Sequence, residues 1–278
     1  MDVGTLIGCV LGGLLILSAV MFGGHEGFAP FWNLPSLLIV FGCTAAAVLI
    51  AFPLKPIRKA FASVRKCLFK PKTNPQEIID QLVHFAESVR REGLLAQENR
   101  IEDIRDPFLA EGLHLIVDGL SPATVENILN SEIEANQYRS QQERNIILHC
   151  GKCAPAFGML GTIIGLVMML TNLQAELIGP GMAIALLTTF YGVLAAHLFF
   201  LPVAEKMKQW DEYELRIKSM IVCGVLGIQA GEHPRIIQLK LLTFLPLEEK
   251  TDDYVVADDD LQTMPFLQSD APQTSQAA

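Results

Sequence analysis

Four stretches of the chain, roughly residues 3–24, 27–54, 153–175 and 177–204, contain no Asp, Glu, Lys or Arg. Each reaches the ~20 residues that a helix needs to cross hydrocarbon. Lipid offers backbone polar groups no partner and none of the four alternates with period two, so all are predicted as spanning helices rather than barrel strands. After the second stretch the pattern changes. Ile57, Phe61, Val64 and Leu68 recur at helical spacing while Arg58, Arg65 and Lys66 point elsewhere, which predicts a basic amphipathic helix lying at the membrane surface. Asn74-Pro75-Gln76-Glu77 then supplies an N-cap, a Pro at N1 and a Glu at N3 ahead of an apolar stripe of Ile78, Leu82, Phe85, Ala86 and Val89. A helix over about 75–98 is predicted.

A shorter helix is expected around 107–117, stopping near Asp118-Gly119. Ser121-Pro122 opens another that runs with few breaks through Val125, Ile128, Leu129, Ile133 and Arg144 toward the third stretch. Past Pro202, the series Met207, Trp210, Leu215, Ile217, Ile221 and Val225 carries the fourth helix onward until just before Gly231. No segment has a strand-like pattern of any length. The expected fold is therefore all-α, a polytopic membrane protein with four transmembrane helices and a helical cytoplasmic domain. Its parts are transmembrane helices 1 and 2 in 1–54, a cytoplasmic helical domain with the membrane-proximal helix in 55–152, helices 3 and 4 in 153–204, a helical extension in 205–250 and an acidic disordered tail in 251–278.

Composition agrees with a bilayer environment: 51% of the 278 residues are hydrophobic, 18% are charged and the mean hydropathy is +0.36. Met1-Asp2 provides no basic start for a signal peptide, so the first stretch is read as a mature helix. Lys and Arg set the orientation. Lys55, Arg58, Lys59, Arg65, Lys66, Lys70 and Lys72 follow the second stretch, Arg139, Arg144 and Lys152 precede the third, and Lys206 and Lys208 follow the fourth, whereas the loops at 25–33 and 172–180 have none. Both termini are thereby expected in the cytoplasm. Much of the net charge of −9 lies in the tail after Lys250, so it does not by itself imply a basic partner, and no nucleic-acid partner is expected.

Burying a charge in lipid is expensive, which makes any intramembrane ionisable residue a functional candidate. Only His197 qualifies, near the cytoplasmic end of the fourth span, and an interfacial, hydrogen-bonded histidine is the simpler reading. If these helices move ions, the titrating carboxylate belongs to a partner. The spans do carry hydroxyls. Thr162 and Thr189 stand roughly 15 and 12 Å in from the same side, a depth at which they share a layer, although an intramembrane Thr also commonly bonds a carbonyl of its own helix. Pro155 and Pro202 would free the carbonyls of Gly151 and Leu198. Gly4, Gly8 and Gly12, and Gly158, Gly161 and Gly165, form small faces suited to close packing between subunits. The six cysteines fall in spans or on the reducing side, so no structural disulfide is expected, and the lone Cys150-Gly-Lys-Cys153 pair has no second pair to make a metal site.

The segments APAFGMLGTIIGL (154–166) and IGPGMAIALLTTFYG (178–192), with RREGLLAQE (90–98), VDG (117–119), GVLGIQ (224–229) and Pro234-Arg235, closely resemble the A subunit of bacterial flagellar stators, the MotA/PomA family. The resemblance covers about residues 1–245. It implies a pentamer of four-span A subunits around the spans of two B subunits, which carry the ion-binding Asp and anchor to peptidoglycan, with ion flux turning the ring against the flagellar rotor. It also implies roles by position: Pro155 and Pro202 couple the pore to the cytoplasmic domain, and Arg90 and Glu98, with Arg91 beside them, contact the rotor's switch protein. Without the resemblance these three charges read as solvated helix-surface groups.

Sodium must exchange hydration oxygens for protein oxygens, whereas a proton needs only a carrier. Thr162 and Thr189 match positions where sodium-type members carry threonine, so sodium is favoured over the proton as the transported ion, with Thr188 included in the expected lining; no cofactor is implied. Asn33 departs from the family by standing where many members have an aspartate near the periplasmic entrance. Three other readings remain: an energiser of outer-membrane transport, a defence-system relative of the stator, and a membrane scaffold that conducts nothing. No buried acid, base, nucleophile or metal cluster suggests an enzyme.

Overall fold

The computed structural model describes residues 31–69, 74–102, 104–171 and 175–245, together with positions 7, 8, 10–15, 18 and 22. The expected first span lies largely, and the acidic tail wholly, outside them. Among the described residues there is no strand. Helix α1 covers Leu34–Ala51, α2 Leu54–Phe69, α3 Pro75–Glu92, α4 Glu98–Ile101, α5 Pro107–Val117, α6 Pro122–Thr171, α7 Ala175–Leu194, α8 Leu201–Gln229 and α9 Pro234–Leu242. Three of these runs, Leu34–Ala51, Pro122–Thr171 and Ile178–Gln229, are long and apolar enough to cross a membrane.

One device starts several of the helices. Asn33, Asn74, Asp106 and His233 each accept a backbone N–H of the first turn, and each is followed within two positions by a proline that lacks the N–H the turn would otherwise leave orphaned. The stops are equally local. Gly119 and Gly231 adopt φ of +76° and +71° after α5 and α8, a region costly for any residue with a Cβ. Gly93, at φ +87°, ends α3 at Glu92, six residues before the predicted end. A 3₁₀ turn over Leu95–Gln97 then leads into the short α4. The loop expected over 172–180 is also shorter, because α7 is already helical at Ala175 and takes Pro180 inside the helix.

The chain forms two compact units. In the first (residues 1–73 and 131–215), Ala60, Val64 and Cys67 of α2 pack with Ile146, Ile147 and Cys150 of α6 and Val203, Ala204 and Met207 of α8, with Val48 of α1 closing the cluster. The predicted stripe of α2 is thus rotated. Ala60 and Cys67 join Val64 in the core, while Phe61 is left 52% exposed. A polar belt ties the same helices together: Ser63 Oγ donates to Glu143 at 2.5 Å, and Arg144 lies 3.7 Å from Asp211. Burial pushes the Asp211 carboxyl up to about 6, against the downward pull of Arg144 and Ser140.

In the second unit (74–130 and 216–278), α3 buries Ile78, Ile79, Leu82, Phe85 and Ala86. Gly224 of α8 brings that helix against Leu82 of α3 and Leu241 of α9, and Gly112 of α5 admits Val225. Gln229, at the end of α8, donates to the Leu120 carbonyl at 2.6 Å.

Candidate functional site

The spanning part of α6 runs antiparallel to α7 at a separation that only glycine permits. A Cβ at Gly192 would stand 2.6 Å from the Ala154 carbonyl oxygen, one at Gly165 2.6 Å from the Gly181 oxygen, and one at Gly158 2.9 Å from the Thr188 oxygen. The small face of Gly158, Gly161 and Gly165, expected to serve contacts between subunits, is used inside the chain. The reason is its register with Gly181, Ala185 and Gly192, a second small face with matching spacing on the facing helix. Gly12 likewise meets Leu198, whereas a Cβ at Gly8 would touch nothing.

This register fixes the threonines. Ala154 lies opposite Gly192 and Gly165 opposite Gly181, so Thr162 is level with about Ile184, and Thr189 sits some five residues, about 7.5 Å, along the axis. The shared layer expected from counting in from the helix ends does not form, because α7 begins at Ala175, inside the loop expected over 172–180. Thr188 is fully buried against Gly161 and donates to the Ile184 and Ala185 carbonyls, which makes it a packing residue within this chain. Thr162 and Thr189 stay half-buried. Thr162 donates to the Met159 carbonyl at 2.6 Å and Thr189 to that of Ala185 at 3.4 Å. A hydroxyl that has given its one proton to its own helix still presents oxygen lone pairs, the half of its chemistry that a cation uses.

The two prolines act on one layer. Ahead of Pro202 the helix widens into a π turn over Ala195–Phe200, and the Leu201 N–H reaches back five residues to the Ala196 carbonyl. Gly151, whose carbonyl Pro155 leaves without its usual donor, packs directly on Phe200 and Leu201. The weakened turns of α6 and α8 therefore face each other, a proximity that spacing along the sequence did not reveal. Loosened helix geometry in this form is a recurrent mark of functional positions.

Asn33 holds the start of α1, against the middle of the fourth span. Its Oδ1 accepts from both the N–H and the Oγ of Ser36 at 3.0 Å, and its own N–H reaches Tyr191 Oη at 3.4 Å. Tyr191 in turn donates to the Phe31 carbonyl, and Phe190 meets Phe31 edge-on at 5.8 Å. Sequence reasoning missed Tyr191 because its partners lie about 160 residues away. The departure at Asn33 is thus a capping residue, a task Asn and Asp perform about equally well.

In the second unit, Arg90 and Arg91 occupy the exposed last turn of α3, with no ion pair among the described residues. Glu98 opens α4, beyond the break at Gly93, so the three expected contact residues are carried by two helices and not one. Arg100 is held elsewhere, donating to Ser88 at 2.8 Å beside a cleft that includes Asp80 and His84. Cys150 is buried and Cys153 partly so; both thiols are free, and no group of three metal-type ligands occurs among the described residues.

Residues 100–220 match the model of the MotA/TolQ/ExbB proton channel family, a class of membrane channel subunits and not of enzymes. The chain is 38% identical over 247 residues to the uncharacterized protein YtxD of Bacillus subtilis, covering 88% of this chain and 91% of that one. It is 36% identical over 252 residues to motility protein A of Borreliella burgdorferi, covering 90% and 96%. Its fold matches the structure of the flagellar MotAB stator complex from Bacillus subtilis with a TM-score of 0.79 and 32% identity, over 93% of this chain and 98% of that one. The chain belongs to the MotA/PomA family of flagellar stator A subunits.

Proposed function

We propose that this chain works with a one-span B subunit as an ion-driven stator of the flagellar motor, that the ion is sodium, and that flux through the complex turns a ring of A subunits against the rotor. The observation that carries the reading is the chemistry of the third and fourth spans. They offer no carboxylate, yet two half-buried hydroxyls, Thr162 and Thr189, have their protons committed to their own helices and their oxygens available. Such oxygens can replace part of a sodium ion's hydration beside a carboxylate supplied by the partner, whereas a proton needs only the carboxylate as carrier. In this reading the termini and the second unit face the cytoplasm, in line with the one-sided distribution of Lys and Arg. Arg90, Arg91 and Glu98 meet the rotor, and the facing weak turns at Pro155 and Pro202 transmit movement of the spans.

Swimming speed in cells that depend on this chain tests the ion. At constant proton-motive force, speed should rise with external sodium and saturate, and Thr162→Ala should shift the rise to higher sodium. Speed that is indifferent to sodium contradicts the assignment and leaves the proton as the coupling ion.

A further inference from the structure

We infer that α2 is a binding surface for anionic phospholipid headgroups, built so that one sector of the helix grips the protein and the rest grips the bilayer surface. Three sectors follow one another around its axis. Ala60, Val64 and Cys67, with Ile57 partly covered, are packed into the core of the first unit. Next to them, Leu54 and Phe61 are 66% and 52% exposed, large apolar groups that none of the other described residues covers. Within about 40° of Leu54 come Arg58 and Arg65, and farther round Lys55, Lys59 and Lys66. All five cations are exposed and make no ion pair among the described residues, and no Asp or Glu occurs between Lys55 and Asn74. An apolar edge bordered first by arginines and then by lysines matches the passage from acyl chain to phosphate to water.

The occupant follows from place and charge. Helix α1 ends at Ala51 and α2 begins at Leu54, a gap of three residue steps or about 10 Å at most. A chain leaving the hydrocarbon at Ala51 therefore enters the headgroup layer within the first turns of α2. The inference rests on the stator reading only in placing α1 across the bilayer. The Ser63–Glu143 hydrogen bond holds α2 on α6 with its cations turned outward.

The test uses the full chain reconstituted in bilayers, with Trp32→Phe and Trp210→Phe removing its two native tryptophans and Phe61→Trp reporting from the apolar edge. Brominated phosphatidylglycerol should quench this reporter more than brominated phosphatidylcholine at equal mole fraction. Raised salt should diminish the preference, and R58Q with R65Q should lower it about fivefold or more, the scale of one or two cations near an anionic surface. Equal quenching by the two lipids overturns the proposal. Absence of quenching by either also overturns it, and assigns the face to a second copy of the chain or to its acidic tail. Sodium-dependent swimming is read separately, so either conclusion can fail without the other.

Discussion

Alanine at Gly192 will separate α6 from α7 and sharply reduce the folded protein recovered from membranes. The added methyl has nowhere to go, since the Ala154 carbonyl carbon and oxygen would lie 3.2 and 2.6 Å away and both belong to a helix backbone. A flexible side chain can swing aside; a backbone carbonyl moves only with its helix. Overpacking of this kind costs about 1–3 kcal/mol, and Gly165→Ala, which meets the Gly181 oxygen and Ala185 N together, should cost as much. The two substitutions act on one interface and should together leave no measurable cooperative transition in detergent. Gly8→Ala, which meets nothing, is the control and should unfold with the native protein. A thermal midpoint for Gly192→Ala equal to that of the control would remove the close α6–α7 contact from the account.

Pro202→Ala should have the opposite signature, with the protein present at full level and the motor stalled. Proline inside a helix costs roughly 3 kcal/mol by withholding a donor and crowding the preceding turn. Alanine restores the N–H for the Leu198 carbonyl and lets the π turn over Ala195–Phe200 tighten toward regular α geometry. Since the weakened turn at Gly151 packs on Phe200 and Leu201, stiffening one side stiffens the layer. Spreading in soft agar should fall at least about tenfold, corresponding to a loss of about 1.4 kcal/mol in the coupled step. Immunoblots should show normal membrane levels, and amide exchange across 196–204 should slow. Normal spreading with slowed exchange would mean that this layer does not transmit the movement.

The elements read from the sequence were those whose signals are local. The short helix expected around 107–117, with its stop near Gly119, is α5 at Pro107–Val117, and the structure adds the cap at Asp106. Ser121-Pro122 opens a helix expected to run with few breaks toward the third stretch, and it continues through that stretch for 50 residues. The end of α3 was overrun because RREGLLAQE is rich in helix formers, and one glycine taking φ +87° outweighs them. The functional region was less legible because its key property is register. Gly158, Gly161 and Gly165 announce close packing without naming the partner, and only the facing Gly181, Ala185 and Gly192 decide that it is internal. The same register separates Thr162 from Thr189 along the axis and closes Thr188 off. The link from Tyr191 to Phe31 and Asn33 and the exposure of Phe61 likewise depend on neighbours distant in sequence.

In the function proposed above, a chain without an acidic group in its third and fourth spans is one half of a rotary ion motor. The most direct measurement of that function is the rotation of tethered cells that lack their own stator, given this chain together with a one-span partner carrying an intramembrane aspartate. Rotation should return in discrete speed steps as complexes engage, and should be absent when either protein is supplied alone or the partner's aspartate is neutralised. Cells that remain paralysed, with both proteins in the membrane and co-purifying as a complex, would contradict that function.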